Sequence, residues 1–291
     1  MDFLAMMLAL AAEVGPVNGP IVAAVSVLSV LLLAVSGPLI LAEGLWLWRR
    51  GALTRRRIVE MLASYATVLP TVAVQGLAFA WWWAAYSAVA RIAPFEITTT
   101  WASAIVCIVV VDLLYYWDHR LGHAVRGLWA VYHSVHHSSP SFDQSTAFRI
   151  SFVDQFIVPV FYLPAVVAGF DPWLIVAAQS LVLAYQSWIH TEMIGRLGWL
   201  DLIVNTPSNH RVHHGAQPCY RDMNYGGILM IWDHLFGTYR AETERPAYGL
   251  VTPIWSNDPV TVMGCEAWRL MRALSAAGGP AQWVHLILGR P

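Results

Sequence analysis

The sequence predicts an all-α integral membrane protein with about four to five transmembrane helices and a cytoplasmic, histidine-rich helical cap. Of its 291 residues, 57% are hydrophobic and 12% are charged, whereas about 25% of the residues in an ordinary soluble domain are charged. The mean hydropathy is +0.53. The apolar residues gather in stretches near the roughly 20 residues that a helix needs to cross a bilayer. Most of the 11 histidines stand just after such stretches.

Five apolar stretches are candidate spans. They cover residues 21–48, a part of 58–90 that Pro70 could break, 101–117, about 153–169 and about 173–189. The last two would form a hairpin turned by "GFDPW". The N-terminal "MDFLAMMLALAAEVGPVNG" lacks the basic region and cleavage site of a signal peptide, so we expect a retained interfacial segment.

The basic residues predict the orientation of these spans. All 17 are arginines, and five of them stand in "RRGALTRRR", residues 49–57. If that segment is cytoplasmic, alternation of five spans places 118–152 and the chain after 189 on the same side, and only Arg91 stays outside. Every histidine then lies on the cytoplasmic side. A chain without lysine also suggests a GC-rich bacterial genome, so we expect a bacterial inner membrane.

Composition also excludes several classes of function. The absence of lysine excludes a Schiff base and a Walker lysine. A net charge of −1 gives no reason to expect a nucleic-acid partner. The three cysteines (Cys107, Cys219 and Cys265) show no disulfide-like or CxxC spacing. We divide the chain into an N-terminal membrane region (1–100), a catalytic domain (101–255) and a C-terminal tail (256–291).

Nine histidines form the candidate metal site. They occur as "HRLGH", "HSVHH", the single histidine of "WIHTEM" and "HRVHH". Residues three and four apart share a helix face, so each cluster could aim two or three imidazoles in one direction. Imidazole binds zinc, copper, iron and nickel, and nine ligands exceed one tetrahedral site. The sequence therefore predicts two metal ions held by His119, His123, His133, His136, His137, His190, His210, His213 and His214.

Four polar residues near the clusters are candidates for supporting roles. Asp112 lies seven residues before His119 on nearly the same helical face, so it could orient an imidazole through its second nitrogen. A protonated or solvated aspartate at the end of the span is the alternative. For the asparagine of the set, a turn-forming role is the alternative. The set comprises Asp112, Asp118, Glu192 and Asn224.

Two short motifs would support the last histidine cluster. In "TPSNHRVHH", Thr206 or Ser208 could cap the ligand helix, with Pro207 in its first turn. In "MNYGG", Gly226 and Gly227 would let the backbone pass close to the site.

The three boxes "HRLGH", "HSVHHS" and "HRVHHG" resemble the histidine boxes of the membrane fatty acid hydroxylase and sterol desaturase superfamily, over about residues 100–255. Within it, "YQSWIHTEMIGRLGWLDLIVNTPSNHRVHHG" followed by "MNYGGILMIWDHLFGTY" is similar in particular to the alkylglycerol monooxygenases. These enzymes cleave glyceryl ethers with a tetrahydrobiopterin reductant. The resemblance implies a non-haem diiron centre that activates O2 and a lipid-like substrate.

The expected function is therefore a membrane-bound diiron monooxygenase that hydroxylates a C–H bond of a lipid with O2. A lipid or sterol desaturase of the same superfamily is the alternative, followed by a non-enzymatic membrane protein that binds or transports metal. The sequence shows no flavin, nicotinamide, iron–sulfur or cytochrome b5 module, so electrons must come from a partner protein or a diffusible reductant such as a pterin. Four arginines could dock an acidic electron carrier or bind lipid phosphates: Arg120, Arg126, Arg211 and Arg221.

Overall fold

The computed structural model describes residues 18–254 and 256–291. Over these residues the fold is all-helical, and the one strand-like contact is an isolated bridge between Val204 and Leu229. The prediction of an all-α protein is confirmed. Except for its last two residues, the N-terminal segment predicted to lie at the interface falls outside the described residues.

The helices fall into four groups along the chain. The first comprises α1 (Gly19–Arg49), α2 (Arg55–Ala66), α3 (Val68–Ile92) and α4 (Trp101–Ala124). The second comprises α5 (Arg126–Leu128), a π-helical turn (Trp129–His133) and α6 (Ser134–His137). The third comprises 3₁₀ turns at Gln144–Phe148 and Val158–Tyr162, α7 (Asp154–Ile157), α8 (Leu163–Val167) and α9 (Pro172–Gln186). The fourth comprises α10 (Leu200–Ile203), α11 (Pro207–His213), α12 (Ile231–Phe236), α13 (Pro259–Ser275) and α14 (Pro280–Leu288).

Three stretches are long and apolar enough to cross a membrane. They are Gly19–Arg49, Arg55–Ile92 and Trp101–Ala124. The two arms of the predicted hairpin, Asp154–Val167 and Pro172–Gln186, are shorter. A 15-residue helix is about 22 Å long, which is less than the roughly 30 Å of a hydrocarbon core. By length and composition the described residues therefore contain three candidate spans, and the expected count of four to five stays a prediction. Prolines divide the first arm of the hairpin into short turns.

The tip of the hairpin nevertheless lies beside the ends of the long helices that are remote from the histidines. The carbonyl of Gly169 accepts a hydrogen bond from the amide of Ile97 at 2.8 Å. Asp171 accepts one from the side chain of Asn18 at 3.2 Å. Both partners flank long helices, Asn18 before α1 and Ile97 between α3 and α4. The hairpin therefore lies alongside these helices over much of their length.

Helix α9 forms the centre of the hydrophobic core. Its buried residues, among them Ile175, Ala178 and Val182, join one cluster with Val111 of α4 and Val25 of α1. This packing fixes the relative depth of α4 and α9. Because each helix ends near the histidine clusters, the packing also sets the positions of the ligands that follow.

Candidate metal centre

The structure brings all nine predicted histidines together in two adjoining groups. In each group, one candidate ligand atom from every member lies within 4.8 Å of the others. The larger group comprises His119, His123, His133, His137 and His213. The smaller group comprises His136, His190, His210 and His214. His234, which the sequence left outside the site, instead approaches the carbonyl of Leu202 at 3.1 Å.

The two groups divide the sequence clusters in a regular way. In "HSVHH", His133 and His137 belong to the larger group and His136 to the smaller one. The "HRVHH" cluster divides too, because His210 and His214 belong to the smaller group and His213 belongs to the larger one. Helical neighbours four residues apart share a face, whereas consecutive residues point about 100° apart. Two rings of each cluster, four residues apart, therefore share one group, and the third ring of each HxxHH cluster joins the other group.

The imidazole nitrogens approach one another closely within each group. In the larger group, Nε2 of His137 lies 3.1 Å from Nε2 of His123 and 3.0 Å from Nε2 of His213. In the smaller group, the Nε2–Nε2 distances are 3.2 Å for His136–His190, 2.8 Å for His190–His210 and 3.2 Å for His210–His214. The ring atoms that can bind metal thus point into two common centres.

The second ring nitrogen of several histidines contacts a backbone carbonyl. His119 Nδ1 lies 2.9 Å from the carbonyl oxygen of Tyr225, and His213 Nδ1 lies 3.0 Å from that of Met223. A carbonyl oxygen only accepts hydrogen bonds, so Nδ1 must be the donor in these pairs. In a neutral ring this leaves Nε2 unprotonated, with its lone pair directed into the group.

The contact between His136 and His190 indicates whether the donor atoms of the smaller group fit a metal ion. Nδ1 of His136 contacts the carbonyl of Arg149 at 3.3 Å, and Nδ1 of His190 contacts that of Gln186 at 2.8 Å. Burial lowers the pKa of His136 to about 4 and lowers the pKa of His190 well below its usual value. Both rings are therefore neutral near pH 7, and two Nε2 lone pairs face each other at 3.2 Å. A cation between them removes this repulsion, so the donor set fits a metal ion.

Two further nitrogens support the same conclusion. Nε2 of His119 and Nε2 of His133 are buried without a hydrogen-bond partner among the described residues. A buried polar atom without a partner is costly. Since both atoms belong to the larger group, a metal ion bound there would satisfy them.

Asp112 does not orient an imidazole, so that part of the prediction is wrong. Its carboxylate accepts hydrogen bonds from the Ile228 amide at 2.6 Å, the Leu229 amide at 3.1 Å and the Trp232 indole at 2.8 Å. A carboxylate buried in an apolar helix bundle takes the donors that are nearest, and here a loop supplies them. A Cβ atom on Gly227 would lie 2.7 Å from this carboxylate, so the glycine lets the backbone pass close to Asp112. Asp112 thus anchors a loop whose first part carries the Tyr225 carbonyl.

The other three candidates also contact groups other than imidazoles. Asp118 accepts a hydrogen bond from the Tyr132 hydroxyl at 3.0 Å. Glu192 forms an ion pair with Arg245 at 3.1 Å. Asn224 adopts a left-handed conformation with φ of 58°, as its turn-forming alternative required. Its side chain donates to the carbonyls of residues 209 and 240, which braces the turn beside His213.

The cap of the last ligand helix follows the predicted pattern. The Thr206 hydroxyl accepts a hydrogen bond from the Asn209 amide at 3.4 Å, and Pro207 begins α11. Thr206, and not Ser208, is therefore the N-cap residue.

Buried charges from the N-terminal region support the histidines, and sequence reasoning missed them. Arg149, whose carbonyl contacts His136, donates to Glu60 at 3.2 Å and to Ser138 at 2.7 Å. Glu43 of α1 accepts hydrogen bonds from the Gln144 amide at 2.6 Å and the Thr191 hydroxyl at 2.5 Å. Charged residues near the ends of apolar stretches were the available signal, because such residues remain buried only with partners.

Two cavities reach the histidines from different sides. One of about 490 Å³, named here the inter-helix cavity, extends from four of them between the apolar helices to Phe79, Trp82 and Val176. Another of about 450 Å³, named here the arginine-lined cavity, reaches the other face of the site and is bordered by Arg126, Arg221, Arg269 and Arg290. The candidate metal centre thus has an apolar approach and a cationic one.

The fold and the site together define an all-α protein with membrane-length helices and a buried cluster of nine histidines that could hold metal ions. Residues 104–238 match the family model of the fatty acid hydroxylases. No solved structure matches the chain.

Among curated proteins, alkylglycerol monooxygenase of Homo sapiens is 46% identical over 170 residues, or 58% of this chain and 37% of that protein. The Xenopus tropicalis protein of the same name is 38% identical over 221 residues, or 75% of this chain and 48% of that protein. Ornithine lipid hydroxylase of Rhizobium tropici is 32% identical over 138 residues, or 45% of this chain and 40% of that protein. The chain thus spans less than half the length of each of these relatives. The predicted resemblance to the superfamily and to alkylglycerol monooxygenase is confirmed.

Proposed function

We propose that this chain is a membrane-bound diiron monooxygenase that hydroxylates a C–H bond of a lipid-like substrate with O2. The observation that carries the proposal is the meeting of nine histidines with an apolar cavity. Fatty acid hydroxylase homology over 104–238 and relatives named as monooxygenases and hydroxylases support the reaction class.

The histidines would hold two irons, one in each group. An all-imidazole donor set also binds zinc or copper, so the choice of iron depends on the family. When bound, the irons supply the activation of O2 and the oxidation of the substrate. The protein orients the rings through carbonyls such as those of Tyr225 and Gln186, and it excludes water by burying the ligands.

The inter-helix cavity would receive the substrate. Its walls come from the apolar helices, and it reaches His119 of the larger group and His136 of the smaller one. A lipid entering from the bilayer would place its chain against Phe79, Trp82 and Val176. Since His119 and His123 lie in the last turns of α4 and His190 follows α9, the oxidised carbon should lie near the polar end of the lipid.

Electrons would arrive from the other face, through the arginine-lined cavity. Either a protein or a diffusible reductant such as a pterin could supply them, and the four arginines favour a donor with negative charge. Of the four arginines singled out in the sequence, Arg126 and Arg221 line this cavity. Arg211 instead forms an ion pair with Glu242, and Arg120 donates to the Tyr116 hydroxyl at 3.0 Å.

We place the centre on the cytoplasmic side of a bacterial inner membrane. With "RRGALTRRR" on that side, two topologies place the histidines on the cytoplasmic side. One has five full crossings, and the other has three spans and a hairpin that enters and leaves the membrane on the same side. The proposed cytoplasmic location of the histidines therefore does not depend on whether three or five segments cross the membrane. Cysteine labelling from each side of sealed vesicles would test it at Ala52 and Ala277.

Comparative lipidomics under ¹⁸O₂ tests the proposal. Cells that express the protein should contain a lipid with one labelled hydroxyl near its polar end, and cells that express His213→Ala should lack it. A product that has lost two hydrogens without gaining label would indicate a desaturase instead. Unchanged lipids in cells that contain iron-loaded protein would contradict an enzymatic role.

A further inference from the structure

The inter-helix cavity has an unexpected pair of acidic residues at its histidine end. Asp118 and Asp154 both line it beside His119 and His133. One oxygen of Asp118 accepts a hydrogen bond from Tyr132 at 3.0 Å. Oδ1 of Asp154 is buried and has no hydrogen-bond partner among the described residues. A buried acceptor without a donor is costly unless a ligand supplies one.

The neighbouring polar groups already have partners inside the protein. The Tyr115 hydroxyl donates to Oε1 of Gln186 at 2.7 Å, and Nε2 of Gln186 donates to the carbonyl of Val182 at 3.1 Å. The two aspartates are the carboxyl groups among the described residues that line this cavity, and a ligand could donate a hydrogen bond to them.

The charge of the cavity restricts what can bind there. No arginine is present among the described residues that line it, and the chain contains no lysine. A carboxylate or phosphate on the ligand would be buried beside two carboxyl groups without a compensating cation, which is strongly unfavourable in a desolvated site. A hydroxyl or ammonium group would instead donate a hydrogen bond to them.

We propose that Asp154, supported by Asp118, selects substrates that carry a hydrogen-bond donor, a hydroxyl or an ammonium group, close to the oxidised carbon. This inference rests on the proposed lipid hydroxylase function and specifies its substrate class. The apolar end of the same cavity, at Phe79, Trp82 and Val176, then receives the hydrocarbon chain. Lipids with an anionic group at that position are excluded.

Four probes with the same chain test this selection. They are 1-O-hexadecylglycerol, its 2,3-di-O-methyl ether, its 2-amino-2-deoxy analogue and its 2-phosphate. The wild-type protein should prefer the free diol to the dimethyl ether by about tenfold to a hundredfold in kcat/KM, the range for a hydrogen bond to a charged group. The amino probe should match or exceed the diol if an ammonium is the natural donor, and fall below it if a hydroxyl is. The phosphate should be the poorest probe.

Two substitutions remove the carboxyl group of Asp154. In Asp154→Asn and Asp154→Leu, the preference for the diol over the dimethyl ether should fall to within about threefold, and the phosphate should gain relative to the diol. Asp171→Asn makes the same change at the far end of the hairpin, where asparagine also caps a helix well, and should keep the wild-type preference. Iron content is measured for every variant.

Binding without turnover separates this proposal from the proposed function. Trp82 lines the cavity, so tryptophan fluorescence under anaerobic conditions, without reductant, reports binding of each probe. Equal binding of diol and dimethyl ether by the wild type would overturn the selection by Asp154, even if the protein hydroxylates lipids. Loss of turnover in Asp154→Asn by the same factor for all probes, with unchanged binding, would also overturn it and would indicate proton delivery. If the wild type oxidises no probe but binds them selectively, the proposed function fails and the selection stands.

Discussion

The two cavities that meet at the histidines differ in almost every physical respect. The inter-helix cavity is walled by apolar helices and carries the acidic side chains Asp118 and Asp154. The arginine-lined cavity is bordered by loops and the C-terminal tail, and four arginines contribute to it against the acidic Asp222 and Glu266. Histidines of both groups line each cavity. One buried centre can therefore exchange different kinds of molecule with the bilayer and with water.

This difference indicates a division of labour. A hydrocarbon chain is stabilised by burial between apolar helices, whereas an anionic donor is attracted by exposed arginines. In the proposed function, separate entries would keep water from the C–H bond while electrons are supplied. Four predictions test this comparison, from the largest expected effect to the smallest.

The first prediction concerns the histidine wall that the cavities share. His136→Ala removes a ligand from the smaller group, and His213→Ala removes one from the larger group. Each should lower iron from about two per chain to one or fewer and reduce product formation by at least about a hundredfold. Iron analysis and product assays after anaerobic purification measure both effects. His234→Ala, whose ring contacts the Leu202 carbonyl and the Tyr239 ring and belongs to neither histidine group, is the control, and full activity with one iron would refute the dinuclear centre.

The second prediction concerns the apolar approach. Leu183→Trp adds bulk to the wall of the inter-helix cavity at a half-exposed position. We expect kcat/KM for a hexadecyl lipid to fall about tenfold with unchanged iron content, and a shorter-chain lipid to lose less. Leu202→Trp is the matched control, because Leu202 is similarly exposed and lines neither cavity. An equal loss for all chain lengths would argue against this entry route.

The third prediction concerns the cationic approach. Reversing two charges with Arg126→Glu and Arg221→Glu should lower turnover with an anionic donor about fivefold and weaken its dependence on salt. A single turnover after reduction with dithionite should not change, since that step bypasses the donor. Arg196→Glu, at an exposed position away from this cavity, should have no effect. Unchanged turnover in the double variant would favour an uncharged diffusible reductant.

The fourth prediction concerns stability without metal. Chelation should lower the Tm by about 10 °C, because the facing lone pairs lose their cation. Burial lowers the pKa of His136 to about 4. The unfolded chain therefore takes up protons below about pH 6.5 while the folded chain does not, so the metal-free protein should lose stability as the pH falls from 6.5 towards 4. Thermal unfolding at pH 7.5, 6.5 and 5.0 measures this, and a metal-free Tm that rises on acidification would contradict it.

Much of the fold could be predicted from residue type and spacing. The stretch 101–117 became the apolar part of α4, and "GFDPW" became the turn of a hairpin. The lengths of the hairpin arms were overestimated because apolar composition does not report the breaks at Pro159 and Pro164. The boundary placed at residue 100 stays a prediction, although Glu43 and Glu60 from before it contact the histidine segments.

Supporting residues were harder to predict than ligands. Candidate imidazole ligands can be read directly from the histidines in a sequence. The groups that orient them here are backbone carbonyls, such as those of Tyr225, Met223 and Gln186. Every residue carries such a carbonyl, so no side-chain pattern identifies the ones that matter. Asp112 looked like a partner for an imidazole because it shares a helical face with His119, yet nearer amides take its oxygens.

By itself, the sequence determined that the chain has membrane-length apolar helices, that nine histidines stand near their ends and that imidazole supplies the donor set. These features follow from composition and from spacing along a single helix. Only the tertiary structure decided how the rings divide into groups of five and four and which cavity each face of the centre meets. It also decided that Asp154 lies in the wall of the inter-helix cavity beside His133 and His136. Such contacts join residues far apart in the chain. They are set by the packing of α9 against α1 and α4, and a pattern of neighbouring residues in the sequence does not contain this information.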